Sequence, residues 1–89
     1  MLITTNGCEG CSIMRNSIKE AISRTQKENI QFKEIDHKVL LYENNSLYSE
    51  LRLRDFPTTV FIKDNKVVRK EVGTRPTIVI LRWIDIDFK

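Results

Sequence analysis

The chain has 89 residues, a length typical of one small domain, and its 40% hydrophobic and 30% charged composition is that of a globular protein rather than a disordered one. Its formal net charge of +3 comes from 15 basic and 12 acidic residues that are interspersed along the sequence, so a nucleic-acid-binding stripe is not indicated. No apolar run has the length of a membrane span, and the chain opens without the basic and long apolar stretches of a secretory signal, so we expect a cytoplasmic protein.

The first third of the chain predicts a strand, a helix and a second strand. Residues 2–5 form a short apolar run that is typical of a buried strand, and Asn6-Gly7 is a turn signal. Apolar side chains recur at helical spacing from about residue 11 to about residue 27, and Asn29 is expected to close this helix. Residues 30–35 alternate between apolar and polar side chains, which predicts a strand with one buried face.

The middle of the chain predicts a short helix followed by a hairpin. Asn44-Asn45-Ser46 offers an N-cap for a short helix that extends to about residue 53. Residues 58–63 and 66–72 are rich in β-branched and apolar side chains, which predicts two strands. The short Asp64-Asn65 connection makes these strands an antiparallel hairpin.

The last segment has features of both a strand and a helix. Residues 78–81 are continuously apolar and largely β-branched, which locally favours a strand. Pro76 suits the first turn of a helix. Four apolar residues fall on one helical face: Ile80, Trp83, Ile84 and Phe88. We therefore predict a helix, which leaves Ile78, Leu81 or Ile86 partly exposed.

The only two cysteines, Cys8 and Cys11, lie three positions apart at the predicted start of the first helix. A helix N-terminus favours the thiolate, which is the form of cysteine that attacks a disulfide. We expect this position to lower the pKa of Cys8 mildly, because the neighbouring Glu9 carboxylate opposes the effect of the helix. The pattern predicts a reducing rather than a strongly oxidising pair.

A structural or metal-binding pair is the alternative reading of the two cysteines. Zinc takes four ligands, and the only other soft ligand is His37, far along the chain. A zinc site within one chain is therefore disfavoured. A metal ion bound between two copies of the chain, through four thiolates, remains an alternative. A disulfide across so short a loop would restrain little of the unfolded chain. His37 itself is expected to lie in a loop after the second strand rather than to be catalytic.

The predicted order is β-α-β-α-β-β-α, with Cys8-Glu9-Gly10-Cys11 after the first strand and Phe56-Pro57-Thr58 before the third. This arrangement resembles the thioredoxin superfamily, and residues 56–68, followed by Val72-Gly73, are similar to the cis-proline strand, hairpin and glycine of thioredoxins. The resemblance implies an α/β, thioredoxin-like fold for residues 1–89 as a single domain. Its four-stranded mixed sheet would have the order 2-1-3-4 and would be flanked by three helices.

The resemblance also implies roles for individual residues. Cys8 would be the attacking thiol and Cys11 the resolving thiol. Glu9 and Gly10, between the cysteines, would tune the pair. Four residues would bind the substrate, with the proline in the cis form: Phe56, Pro57, Gly73 and Thr74.

The chain departs from the thioredoxin pattern at several positions. Gly7 stands where thioredoxins usually have Trp, and Glu9-Gly10 stands where they have Gly-Pro. The buried acid of the family and its lysine partner would fall on Leu2 and Phe32, so both are replaced by apolar residues, which avoids an unpaired buried charge. Gly73-Thr74-Arg75 matches the glutathione contact of glutaredoxins poorly.

These observations predict a thiol–disulfide oxidoreductase that reduces protein or small-molecule disulfides through a mixed disulfide on Cys8, which Cys11 resolves. We expect no cofactor or metal beyond the redox-active disulfide, a reductase or glutathione as electron donor, and a monomer without nucleic-acid or membrane partners. One alternative is a glutaredoxin-like, glutathione-dependent reductase. Another is a non-catalytic redox-sensing or partner-binding module, for which exposed apolar residues on the last helix would provide a surface.

Overall fold

The structure is a computed structural model that describes residues 1–88. In chain order its elements are β1 (Leu2–Thr4), α1 (Glu9–Arg24), β2 (Glu34–Asp36), α2 (His37–Glu43), α3 (Asn45–Leu51), β3 (Thr58–Lys63), β4 (Lys66–Val72) and α4 (Thr77–Asp87). The four strands form one mixed sheet of order β2-β1-β3-β4, in which β1 is parallel to β2 and antiparallel to β3. This topology confirms the predicted thioredoxin-like α/β fold class.

The sheet separates two apolar cores, because successive side chains of a strand point to opposite faces. On one face, Leu2 and Phe61 pack with residues of α1 and α4. On the other face, Ile3 and Val60 pack with residues of α2 and α3. The central strand β1 is therefore covered on both sides, and its carboxyl end is fixed between the two helical layers.

The second strand is shorter than predicted and begins later. The alternating pattern predicted a strand over residues 30–35, whereas β2 comprises Glu34–Asp36. β1 has only three residues, and these pair with the three residues of β2. Residues 30–32 therefore precede the part of the chain that pairs with β1. Ile30 and Phe32 nevertheless pack against the core formed by α1 and α4. Their burial without strand pairing accounts for the alternating pattern.

The segment between β2 and β3 contains two helices where the sequence predicted one, over residues 44–53. Each begins with a side-chain cap. The Asp36 carboxylate accepts a hydrogen bond from the backbone N–H of Lys38 at 2.8 Å, and the Asn44 side chain accepts one from the backbone N–H of Leu47 at 3.1 Å. The N-cap of α3 is Asn44, the first of the three candidates that the sequence offers. The sequence does not predict α2, because this helix directly follows β2 without a loop.

β3 and β4 form the predicted antiparallel hairpin, with the predicted bounds. Asp64 and Asn65 have φ values of 53° and 64°. Positive φ at both central residues is the pattern of the tight turns that match the twist of paired strands.

α4 confirms the helical interpretation of the last segment. Ile80 and Ile84 are buried, whereas Ile78 and Ile86 are 60% and 52% exposed, as predicted for residues off the apolar face. Leu81 is partly buried and packs against the core. Within residues 1–88, no helix is both long enough and apolar enough to cross a bilayer.

Candidate active site

Cys8 and Cys11 lie where β1 leads into α1, and they form a disulfide in this structure. Cys8 is the N-cap of α1, with an extended backbone (φ −88°, ψ 98°). The helix begins at Glu9 and ends at Arg24, rather than near residue 27. The backbone N–H of Cys11 donates to the Cys8 carbonyl at 3.3 Å, and the two Cα atoms are 5.4 Å apart. The first turn of α1 thus holds both cysteines within covalent reach of each other.

The two cysteines differ in exposure. Cys11 is only 4% exposed, whereas Cys8 is half-buried. The Cys8 side chain makes no capping hydrogen bond, so amide N–H groups of the first turn can stabilise a negative charge at this end of the helix. A molecule arriving from solvent would therefore meet Cys8 first.

The turn at Gly7 directs the chain from β1 into the helix. Gly7 has a φ of +70°, which lies in the left-handed region that favours glycine. An added Cβ would have nothing within 4 Å. The backbone conformation, rather than a lack of space, therefore explains the glycine at this position.

Gly10, between the cysteines, packs directly against two loops from other parts of the chain. A Cβ placed on Gly10 would lie 3.1 Å from Thr74 Cγ2 and 3.2 Å from Pro57 Cδ. The Phe56–Pro57 peptide bond is cis, as the family resemblance implies, and Pro57 is buried. The structure thus brings Gly10, Pro57 and Thr74 together beside the disulfide.

Gly73 and Arg75 hold the second of these loops in place. The backbone N–H of Gly73 donates to the Pro57 carbonyl at 2.8 Å, and its φ of +92° favours glycine. Arg75 Nη1 donates to the carbonyls of Val72, at 3.2 Å, and Thr74, at 2.8 Å. Sequence reasoning missed Arg75 as a site residue, because a single arginine after a strand carries no pattern.

Phe56, the predicted substrate-pairing residue, contacts His37. The two ring centroids are 4.9 Å apart and the rings are tilted by 44°. His37 is the first residue of α2, rather than a loop residue as predicted. The parallel pairing of β1 and β2 brings the start of α2 to the same end of the sheet as the loop that carries Cys8.

An open depression of about 530 Å³ lies beside the disulfide, lined by the loop between β1 and α1 and by Arg15. Arg15 forms a two-point ion pair with Glu34 of β2, at 2.5 and 2.8 Å. The hydrogen bond from Arg15 lowers the pKa of Glu34, and the same hydrogen bond raises the pKa of Arg15. This pair links α1 to β2 next to the cysteines.

Apolar side chains occupy the two positions at which the family resemblance places a buried acid and its lysine partner. Leu2 is fully buried in the core between the sheet and α1. Phe32 is partly buried and packs against the same core. Across residues 1–88, no group of three or more His, Cys, Asp or Glu side chains is arranged to hold a metal ion.

Comparison with protein families matches residues 3–86 to the model described as Thioredoxin. The matched range extends from β1 to α4 and includes both cysteines, Pro57 and Gly73. No curated protein matches the chain. The match therefore covers the whole of the candidate site.

Proposed function

The chain belongs to the thioredoxin family, and from that premise, with the Cys8–Cys11 disulfide, we propose that it reduces disulfide bonds in other proteins. Family membership and the Cys-x-x-Cys disulfide together support a function of the thiol–disulfide oxidoreductase kind. The observation that carries the proposal is the difference in exposure between two cysteines that are already bonded to each other at a helix N-terminus.

The reaction begins from the reduced protein, with Cys8 as a thiolate and Cys11 as a thiol. The Cys8 thiolate attacks one sulfur of the substrate disulfide, so a mixed disulfide forms and the other substrate sulfur leaves as a thiolate, which takes up a proton. Cys11 then loses its proton and attacks the Cys8 sulfur, which releases the second substrate thiol. Two electrons pass to the substrate, and the protein ends as the Cys8–Cys11 disulfide found in this structure.

The loops that face Gly10 are proposed to bind the substrate chain. Phe56 and Pro57 precede β3, and Thr74 follows Gly73 beside them. In this role the backbone of Phe56 pairs with an extended segment of the substrate, while Gly73 and Thr74 contact the same segment. The depression at the disulfide is open rather than enclosed, which suits a disulfide carried on the surface of a protein.

A dithiol reductase is proposed as the electron donor, in preference to glutathione. Arg75 is the cation nearest in sequence to Gly73 and Thr74, and its guanidinium donates to two backbone carbonyls of its own loop. Nη1 is thereby engaged in holding the loop, and the poor match of Gly73-Thr74-Arg75 to the glutathione contact of glutaredoxins supports a reductase over glutathione. We further propose that the protein acts as a monomer in the reducing environment of the cytoplasm, without a metal or an organic cofactor.

Insulin reduction tests the proposed function. The wild-type protein is expected to reduce insulin disulfides with dithiothreitol or with a thioredoxin reductase and NADPH, and Cys8→Ser is expected to abolish this activity. Ser23→Ala, which replaces an exposed residue at the far end of the same helix, is the control and should retain it. Full activity in Cys8→Ser would end the proposal, and a strong preference for glutathione over the reductase would favour the glutaredoxin-like alternative.

A further inference from the structure

Cys11 has to lose a proton before it can resolve a mixed disulfide, and its burial opposes that loss. Cys11 is 4% exposed, and a low-polarity environment disfavours the charged form of a thiol. The position at which the family resemblance places a buried acid is occupied by Leu2, which is fully buried, so that position provides no charge. A group that favours the Cys11 thiolate is therefore to be sought on the open side of the site.

The depression beside the disulfide is that open side, and its wall contains two charged side chains. Cys8 and Cys11 line it together with Glu9 and Arg15. The Glu9 carboxylate is exposed, and its negative charge disfavours a neighbouring thiolate. Of the residues that line the depression, Arg15 is thus the one whose charge favours a thiolate.

Arg15 lies on the same side of α1 as Cys11. It follows Cys11 by four residues, and side chains at this spacing are neighbours on a helix, with Cβ atoms about 5–6 Å apart. Cys8 is farther away, by about 10 Å along the helix axis. The ion pair with Glu34 holds the guanidinium through Nε and Nη2. Glu34 does not line the depression, so the cation of this pair is the member that faces the cysteines.

The charged groups on the neighbouring elements are engaged elsewhere. The Asp36 carboxylate caps α2, and the His37 ring packs against the side chain that precedes the cis-proline. Arg75 donates to two carbonyls of its own loop. The side chains that face the turn between the cysteines, Pro57 and Thr74, are uncharged. Arg15 is therefore the cation that this structure places beside Cys11.

We propose that the Arg15 guanidinium, held by Glu34, stabilises the thiolate that Cys11 forms during the resolving step. In this step the Cys11 thiol gives its proton to water in the depression. The thiolate then attacks the Cys8 sulfur, so the Cys8–Cys11 bond forms and the bond between Cys8 and the substrate breaks. The substrate sulfur leaves as a thiolate and takes up a proton. This inference rests on the proposed function, because it assigns a residue to one step of that reaction.

The ionisation of Cys11 can be measured directly in the reduced Cys8→Ser protein, in which a single ¹³Cβ-labelled cysteine is followed by NMR across a pH titration. Adding Arg15→Gln to this protein is expected to raise the pH midpoint by about 0.3 to 1 pH unit, the size expected for one partly exposed charge nearby. Arg15→Lys keeps the cation and should restore most of the difference.

Two controls separate the charge of Arg15 from its structural role. Glu34→Gln removes the opposing charge but leaves the cation and an acceptor for it, so the midpoint should fall or stay unchanged. Arg24→Gln removes an equal charge from the far end of α1 and should leave the midpoint unchanged.

A kinetic measurement extends the test to the resolving step. The neutral reagent dithiodipyridine releases one thiopyridone when Cys8 attacks it and a second when Cys11 resolves the adduct. Arg15→Gln is expected to slow the second release about 2- to 4-fold at pH 7, a modest change because a less abundant thiolate is also more nucleophilic.

The inference would be overturned if Arg15→Gln leaves the Cys11 midpoint unchanged. It would also be overturned if Glu34→Gln raises the midpoint as much as Arg15→Gln does, because loss of the ion pair rather than of the cation would then explain the effect. Neither measurement uses a protein disulfide, so these results are distinct from a failure of the protein to reduce insulin.

Discussion

At the residue scale, Gly10 is the point at which three parts of the candidate site meet. The space that a side chain would need there is already occupied by Thr74 Cγ2 and Pro57 Cδ, at 3.1 and 3.2 Å from the Cβ position. Cysteine spacing alone does not reveal this requirement, because any residue pair between the cysteines preserves the spacing. The close approach gives Gly10 a packing role beside its proposed tuning role.

Gly10→Ala is expected to lower the free energy of unfolding of the oxidised protein by about 1 kcal/mol, because overpacking outweighs the better helix propensity of alanine. Thr74→Ser removes the Cγ2 methyl group, so the double variant Gly10→Ala/Thr74→Ser should recover part of the loss. Urea unfolding of the oxidised forms measures both. A stabilised Gly10→Ala, as helix propensity alone would give, would contradict the close approach.

Arg75 supports the loop that carries Gly73 and Thr74 through two backbone hydrogen bonds. Arg75→Ala is expected to lower kcat/KM for insulin reduction about 3- to 10-fold, since the loss of order in this loop corresponds to roughly 1 kcal/mol of the barrier. Arg82→Ala, which removes an exposed cation from α4, has the same charge change and should leave kcat/KM near the wild-type value. Equal effects of the two variants would assign the change to charge rather than to the loop.

At the element scale, the sequence predicts most of the strands and helices because their patterns are local. The bounds of β3 and β4 follow from alternation and turn residues, and a helix cap among residues 44–46 follows from their capping side chains, of which Asn44 forms it. The sequence places β2 too early because Ile30 and Phe32 pack against the core, partly buried, without pairing to β1. The three-residue length of β1, which limits the pairing to Glu34–Asp36, is not visible in the pattern of residues 30–35. α2 was missed because its cap, Asp36, is also the last residue of a strand.

The Asn44 cap makes a prediction about α3. Asn44→Ala removes the acceptor for the backbone N–H of Leu47 and is expected to lower the free energy of unfolding by about 1 kcal/mol. Asn45→Ala changes the same residue type one position later, inside the helix, and should cost nothing or stabilise slightly. Chemical denaturation of the two variants in parallel checks this, and equal losses would contradict the capping assignment.

The ion pair between Arg15 and Glu34 links α1 to β2 and gives a pH prediction. Its hydrogen bond lowers the pKa of Glu34 in the folded protein, so the stabilisation is present above the pKa of the unfolded chain and is lost as the pH falls through the folded-state pKa. The difference in urea midpoint between the wild type and Glu34→Gln should therefore be present at pH 7 and vanish in strong acid. A difference that is independent of pH would contradict the pairing.

At the scale of the whole molecule, the fold gathers segments that are distant in the sequence around one disulfide. β1 delivers Cys8 to the end of the sheet, and the antiparallel β3 brings Pro57 to that same end. The sequence predicts this gathering only through the resemblance to thioredoxins, because the contact between residue 10 and residues 57 and 74 depends on strand order. The contact of His37 with Phe56 likewise arises from packing and has no sequence motif.

Trapping the mixed disulfide is the most direct test of the central claim that Cys8 is the attacking thiol and Cys11 the resolving thiol. Cys11→Ser, reduced and then mixed with excess insulin under non-reducing conditions, should form a covalent adduct, and peptide mass spectrometry should locate the bond at Cys8. Cys8→Ser, treated in the same way, should form little or no adduct, because its remaining thiol is buried. Comparable adduct formation through Cys11 in the Cys8→Ser protein would contradict the account.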